Sequence, residues 1–282
     1  LTRRIDAHEI MTFTKFLLLT VVILPVLPNQ DFGRFLINPF KIWLVVVAVS
    51  TVSYGSYLLL RVTRESGILL SAILGGIYSS TATTVALAKR SSREDSHPHL
   101  FAGAILLASA FMYLRITILV GIFNWKLLHL LAGPFLTLAV AAAVTGFLWS
   151  RRPDGPREKL QPQFKHENPL ELRSAFLFAG FFLVILIFTR LAFSYMGSRG
   201  AYILGAVIGF ADVDPFILSM TQSGGATTSL VVSAGAILVA VASNNLAKGI
   251  YAFSFGNRRT GVQSLLLLTV LALAGLIPLF WL

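Results

Sequence analysis

Nine runs of apolar residues, most of them close to 20 residues long, follow one another from Phe13 to Leu282. A hydrocarbon core about 30 Å thick is crossed by about 20 helical residues, and within it only helices and closed barrels satisfy every backbone group. Runs of this length and number predict an all-α integral membrane protein. Composition points the same way: 56% of the 282 residues are hydrophobic and 12% are charged, with a mean hydropathy of +0.78, which excludes a soluble domain. The chain has no cysteine, so disulfides and thiolate metal sites are excluded as well. Its net charge of +11 would suit nucleic acid, but most Lys and Arg fall in the links between apolar runs, where they orient a chain in a bilayer. The expected partner is the lipid bilayer, with no nucleic acid.

Two of the runs depart from the pattern. The stretch Gly205 to Gly225, GAVIGFADVDPFILSMTQSGG, is apolar enough to enter a membrane yet carries Asp212, Asp214 and Pro215. A carboxylate at the bilayer centre costs about 2.5–3.5 kcal/mol on insertion scales and marks a functional site by default. Proline removes a donor from a helix interior, so two half-helices around a break at Asp212–Val213–Asp214–Pro215 are expected. The second is Gly67–Lys89, GILLSAILGGIYSSTATTVALAK, apolar at both ends and hydroxyl-rich at Ser79, Ser80 and Thr81. The other seven, Phe13–Leu27, Ile42–Leu60, Leu100–Phe123, Leu127–Trp149, Phe176–Phe193, Leu230–Phe255 and Val262–Leu282, read as plain spans. Arg115 lies inside one of them, and Asn244, Asn245 and Lys248 lie inside another.

The halves resemble each other. At an offset of 132, GAILLASAFMYL (Gly103–Leu114) falls on GAILVAVASNNL (Gly235–Leu246) with seven of twelve positions identical, and at 133 the polar break at Ser79 falls on that at Asp212. Internal repeats are common in transporters, whose sites lie at the repeat interface near the midplane. Charge placement selects a topology. If both broken runs are re-entrant, 16 of the 23 Lys and Arg share one face and 5 the other, with Arg115 and Lys248 inside the membrane; the first face is then cytoplasmic. The expected organisation is residues 1–40 as a leading helix and link, 41–149 as a first repeat, 150–172 as a cytoplasmic linker loop and 173–282 as a second, inverted repeat. That gives about seven transmembrane helices plus two re-entrant, broken-helix hairpins, Gly67–Lys89 and Gly200–Ser223.

In this arrangement the two breaks enter from opposite faces and meet. Ser79, Ser80, Thr81, Asn244, Asn245, Asp212 and Asp214 are the candidate substrate or ion ligands. Asp212 and Asp214 are also the candidate metal ligands, since hard oxygen donors suit Mg²⁺, Ca²⁺, Na⁺ or H⁺. Arg115 and Lys248 balance the acids, and protonation of an Asp would free or engage a base. Plainer readings stand beside these. Asp214 before Pro215 is an ordinary helix start; the hydroxyls and amides also serve as packing and interhelical hydrogen-bonding groups; and His97 and His99 read as solvated loop residues.

GGIYSSTATTVALAKRS, GFADVDPFILSM and AILVAVASNNLAKGIYAFSFGNRRTG together resemble the membrane domain catalogued as domain of unknown function 4010. The resemblance implies a prokaryotic protein whose full-length form carries an MgtC/SapB-type membrane domain on its N-terminal side, and the opening LTRRIDAHEI reads as the start of an excised piece. It supplies no ligand or catalytic residue to carry over. Asn244–Asn245 departs from the Asn-Thr expected of the family. The functional expectation is a multi-pass protein of the cell inner (plasma) membrane that transports a small inorganic cation, coupled to or exchanging protons. The alternatives are a cation channel, a regulatory or ion-sensing module, and an exporter of a small organic solute held by Arg115 and Lys248. No enzyme chemistry and no cofactor beyond a bound cation are expected, and homo-oligomerisation, as a dimer, is.

Overall fold

The computed structural model describes residues 14, 17, 20–33, 37–62, 67–93, 97–154 and 172–282, with the side chains of 53–62 and 172–175 set aside. Its helices are α1 (Pro39–Val62), α2 (Ile68–Ser91), α3 (Pro98–Phe123), α4 (Trp125–Ser150), α5 (Leu172–Met196), α6 (Ser198–Ile208), α7 (Val213–Ser223), α8 (Leu230–Phe255) and α9 (Arg258–Leu276), ended by a 3₁₀ turn, Ile277–Phe280. No strand occurs among the described residues, only isolated bridges. Of the expected leading helix Phe13–Leu27, residues 13, 15, 16, 18 and 19 fall outside the described residues and 14, 17 and 20–26 are helical, while residues 155–171 of the linker loop fall outside them altogether.

Six described helices are long and apolar enough to cross a membrane, so the protein is a multi-pass membrane protein. By length, α2 is one of the six, but its backbone is not straight. Ser79 has φ −158° and ψ 103°, and a Cβ placed on Gly75 would stand 2.5 Å from Thr83 Oγ1. Eight residues of continuous helix span about 12 Å; α2 is therefore folded back at Ser79 into two halves, each too short to cross. A second fold-back joins α6 to α7, where a Cβ on Gly205 would lie 3.0 Å from the Phe216 ring. Both broken runs are thus hairpins, as expected from their polar centres.

The second break differs from expectation in its place. It occupies Gly209 to Asp212, and Asp212, not Asp214, is the N-cap of α7, its side chain accepting from the Asp214 amide at 3.2 Å. Val213, Asp214 and Pro215 form the first turn. Amides in a first turn have no partner within the helix, so Pro215 forfeits no hydrogen bond there and has no need to mark the break itself.

The core is built around α3 and α8. In their most apolar windows 67% and 72% of residues are buried, against 22% for α5 and 33% for α4 and α9, which places these two at the centre and turns the others toward lipid. Helices apolar all round belong in the interior, and small residues let backbones approach there. Gly76 lies against the Ala108 backbone of α3, and Gly209 against the Ala240 backbone of α8; at either position a Cβ would be 2.5 Å from a carbonyl oxygen. His97 is buried and His99 half-buried, where solvated loop residues were expected. His97 is 4% exposed, and the Asp154 carboxylate receives the backbone amides of His99 and Leu100 and the His99 ring, capping the start of α3.

Candidate functional site

Breaking a helix frees carbonyls, and the positions of those carbonyls define the site. In α2 the Ala82 amide, which an unbroken helix would direct at Tyr78, instead donates to Ser79 Oγ at 3.3 Å, making Ser79 the cap of the second half. The freed carbonyls of Ile77 and Tyr78 are taken by Arg115 Nη1 of α3, at 3.1 and 2.6 Å. A cation at a helix C-terminus also opposes the helix dipole. The other arm of the same guanidinium, Nη2, reaches Asp214 Oδ2 in the first turn of α7. Arg115 is 8% exposed and Asp214 6%. One side chain therefore ties the first hairpin tip to the second.

The carbonyls freed at the second tip are capped by neutral donors from α8. Ser243 Oγ donates to Ala206 O at 2.5 Å, Asn244 Nδ2 to Gly209 O at 2.9 Å and Tyr251 Oη to Phe210 O at 2.6 Å. One turn beyond Asn244, the fully buried Lys248 ammonium contacts Ser80 Oγ of the first tip at 3.3 Å, Ser109 Oγ at 3.1 Å and Met112 Sδ at 3.2 Å. Asn245 Nδ2 donates to Tyr113 Oη at 2.8 Å, and the Tyr113 ring makes a tilted contact with that of Phe135.

Of the residues singled out from sequence, Arg115 and Asp214 meet, as do Lys248 and Ser80. Ser79 and Asp212 occupy matching cap positions. Thr81 lies partly buried beside Ser80, while Asp212 is exposed. The expected neutralisation of two acids by two bases is realised once only: Lys248 makes no ion pair among the described residues. Several buried polar atoms there also lack a partner, namely Asp214 Oδ1, Asn244 Oδ1, Asn245 Oδ1 and Arg115 Nε.

Sequence reading missed Ser109, Met112, Tyr113, Ser243 and Tyr251, all of which sit in apolar helices. It also missed two asparagines. Asn124 caps α4, and its Nδ2 donates to Thr221 O and Gly224 O at 2.9 Å, at the C-terminal end of the second hairpin. Asn257 caps α9, and its Nδ2 donates to Ser91 O at 2.9 Å, at the C-terminal end of the first. The signal was present, because these asparagines, their capped amides at Leu127 and Thr260, and their targets Ser91 and Gly224 are all separated by the offset of 133 that relates the two breaks.

The family model described as "Domain of unknown function (DUF4010)" matches residues 47–256, and the chain belongs to that family. An "Uncharacterized protein" of Aquifex aeolicus (strain VF5) is 30% identical over 202 residues, which cover 70% of this chain and 86% of that relative. No solved structure matches the chain.

Proposed function

We propose that this member of the DUF4010 family is a proton-coupled secondary transporter, in which a small solute passes between two hairpin tips held together by Arg115. The bond network of Arg115 carries the reading: a buried cation joins the freed carbonyls of one break to a carboxylate in the other. Intramembrane charges of this kind face the interior of a bundle and mark ion or proton paths.

The contacts at the hairpin ends support an inverted repeat. Ser91, where the first hairpin ends, bonds to Asn257 near the start of α3, whose Pro98 carbonyl receives Thr260 Oγ1 at 3.5 Å. Gly224, where the second ends, bonds to Asn124 just past the other end of α3. At about 1.5 Å per residue, the 26 residues of α3 hold the two mouths far apart while the tips meet between them. Rocking of one such repeat against the other is the usual basis of alternating access. Protonation of Asp214 removes the charge that holds Arg115 Nη2 and loosens the tie between tips, leaving Arg115 on the first hairpin. That is a coupling step of the sort an exchanger requires. An inorganic cation as cargo draws less support, because Asp214 already gives one oxygen to Arg115 and no group of three His, Cys, Asp or Glu able to hold a metal ion occurs among the described residues.

The test is flux in proteoliposomes loaded with a pH-sensitive dye, under gradients of Na⁺, K⁺, Mg²⁺, Ca²⁺, Mn²⁺ and organic solutes. Solute-driven proton movement is expected in the wild type and is expected to fall at least about tenfold in Asp214→Asn, which keeps a hydrogen-bonding group against Arg115. Flux without proton movement would favour a channel, and no flux from folded protein a regulatory module. Sidedness is tested separately in this cysteine-free chain: single cysteines at Ser92 and Thr227 are expected to label from opposite faces, Ser92 from the cytoplasm. Labelling of both from one face would overturn the inverted topology.

A further inference from the structure

Lys248 has a buried amine and makes no ion pair among the described residues. Its ammonium is fully buried, and the three groups around it, two hydroxyls and a thioether, are neutral. Taking an ammonium out of water costs several kcal/mol even after relaxation, and a carboxylate within reach is the usual compensation. The buried acid among the described residues, Asp214, is already bound to Arg115. Among the ligands of Lys248, Met112 sulfur is the weakest acceptor a protein offers, carried on an unbranched and adaptable side chain. An anionic oxygen entering from between the hairpins would replace it with gain.

The surroundings of Lys248 are complementary to more than an anion. Asn244 and Asn245 lie on the same side of α8, four and three residues before Lys248, where side chains of a helix are neighbours. Each has its amide nitrogen engaged and its Oδ1 without a donor, and Asp214 Oδ1 is in the same condition. Buried acceptors left open are costly and are met by a ligand's donors when a ligand is present.

The cavities beside the two hairpin ends carry the same sign. A cavity of about 710 Å³ at the end of the second hairpin is lined by Lys41 and Lys126 beside Asn124, and one of about 680 Å³ near the end of the first by Arg258 and Arg259 beside Asn257. Neither has an Asp or Glu among its described lining residues, although Lys41 is partly balanced by Asp31 at 3.8 Å. The tendency to gather cations on the cytoplasmic face explains one of these vestibules but not both, since they lie at opposite ends of α3. Paired positive mouths raise the local concentration of anions on either side.

From these three observations we infer that the transported solute is a small organic carboxylate bearing an amino or hydroxyl donor, with its carboxylate on Lys248 and its donor on the open oxygens of Asn244 and Asn245. The assignment rests on the transporter reading and adds the substrate class to it.

The experiment is uptake by proteoliposomes of purified protein, using radiolabelled serine, alanine and lactate, with acetate, chloride and sulfate as controls, in the wild type, Lys248→Met and Lys248→Arg. Uptake of at least one amino or hydroxy acid is expected, exceeding acetate by at least about tenfold, the ratio that about 1.4 kcal/mol of binding represents. Lys248→Met is expected to abolish it and Lys248→Arg to retain part. Because methionine replaces a buried amine that makes no ion pair among the described residues, the Lys248→Met protein is expected to unfold at a temperature no lower than the wild type, which separates loss of binding from loss of fold. Several results would overturn the assignment. Carboxylate uptake unchanged in Lys248→Met would do so, as would chloride or acetate moving as well as serine or lactate. Cation and proton flux without movement of any carboxylate would overturn the substrate class and leave the transporter standing. Absence of every flux would overturn both.

Discussion

The two hairpin tips face the same backbone problem and solve it differently. Each breaks a helix and exposes its last carbonyls, and each begins its second half with a side-chain cap, Ser79 in one and Asp212 in the other. At the first tip the carbonyls are capped by a guanidinium from α3; at the second, by a hydroxyl, an amide and a phenol from α8. Neutral caps satisfy their own carbonyls and stop there. The charged cap has donors left over, and with one of them it reaches the opposite tip. The charged cap thus ties the two hairpins together from Arg115, whose counterpart at the offset of 132 is Ala247.

That contrast predicts unequal costs. Arg115→Met strands Asp214 as a buried unpaired charge and frees two carbonyls, so a loss of about 3–5 kcal/mol is expected in detergent unfolding, together with loss of flux. The double variant Arg115→Met with Asp214→Asn is expected to recover much of the stability and none of the proton coupling, and a cycle that finds the two additive would break the picture of one shared tie. Gly76→Ala and Gly209→Ala each drive a methyl into a facing backbone, at Ala108 and Ala240. Both are expected to lose about 1–3 kcal/mol, and a large inequality between them would argue against equivalent scaffolds. Asn124→Ala and Asn257→Ala each remove a helix cap and a bond to the other hairpin, with an expected loss of about 1–2 kcal/mol apiece, read from matched shifts in unfolding temperature. Tyr251→Phe removes one neutral cap at the second tip; about 1 kcal/mol is expected with flux retained, and loss of flux there would give the second tip a role beyond its own carbonyls.

Much of the scaffold was legible in the sequence because burial in a bilayer is a one-body preference. Apolar runs of the right length, and hydroxyls or acids in the middle of two of them, state where helices run and where they break, and Ser79 and Asp212 were found in that way. Partners were not legible, because they depend on what α3 and α8 bring alongside. Nothing in the local pattern distinguishes Arg115, which finds a carboxylate, from Lys248, which finds hydroxyls and a thioether. Asp214–Pro215 misled for a local reason: proline marks a break strongly in a helix interior and costs nothing in a first turn, so the pair sits just after the break it was taken to form. Asn124 and Asn257 were not singled out, although they stand at the same offset of 133 that relates the two breaks.

Tyr113 and Asn245 differ by 132 in sequence, the offset that relates α3 to α8, and they hydrogen-bond to each other. Two corresponding positions in a twofold repeat touch only on the axis between the halves. In a pair of separate half-length chains the residue at this place would have to face its own copy, tyrosine against tyrosine or asparagine against asparagine. A single polypeptide carries no such restriction. Here an amide donor and a phenol acceptor of different shape meet, a pairing that two identical subunits could not place on their shared axis.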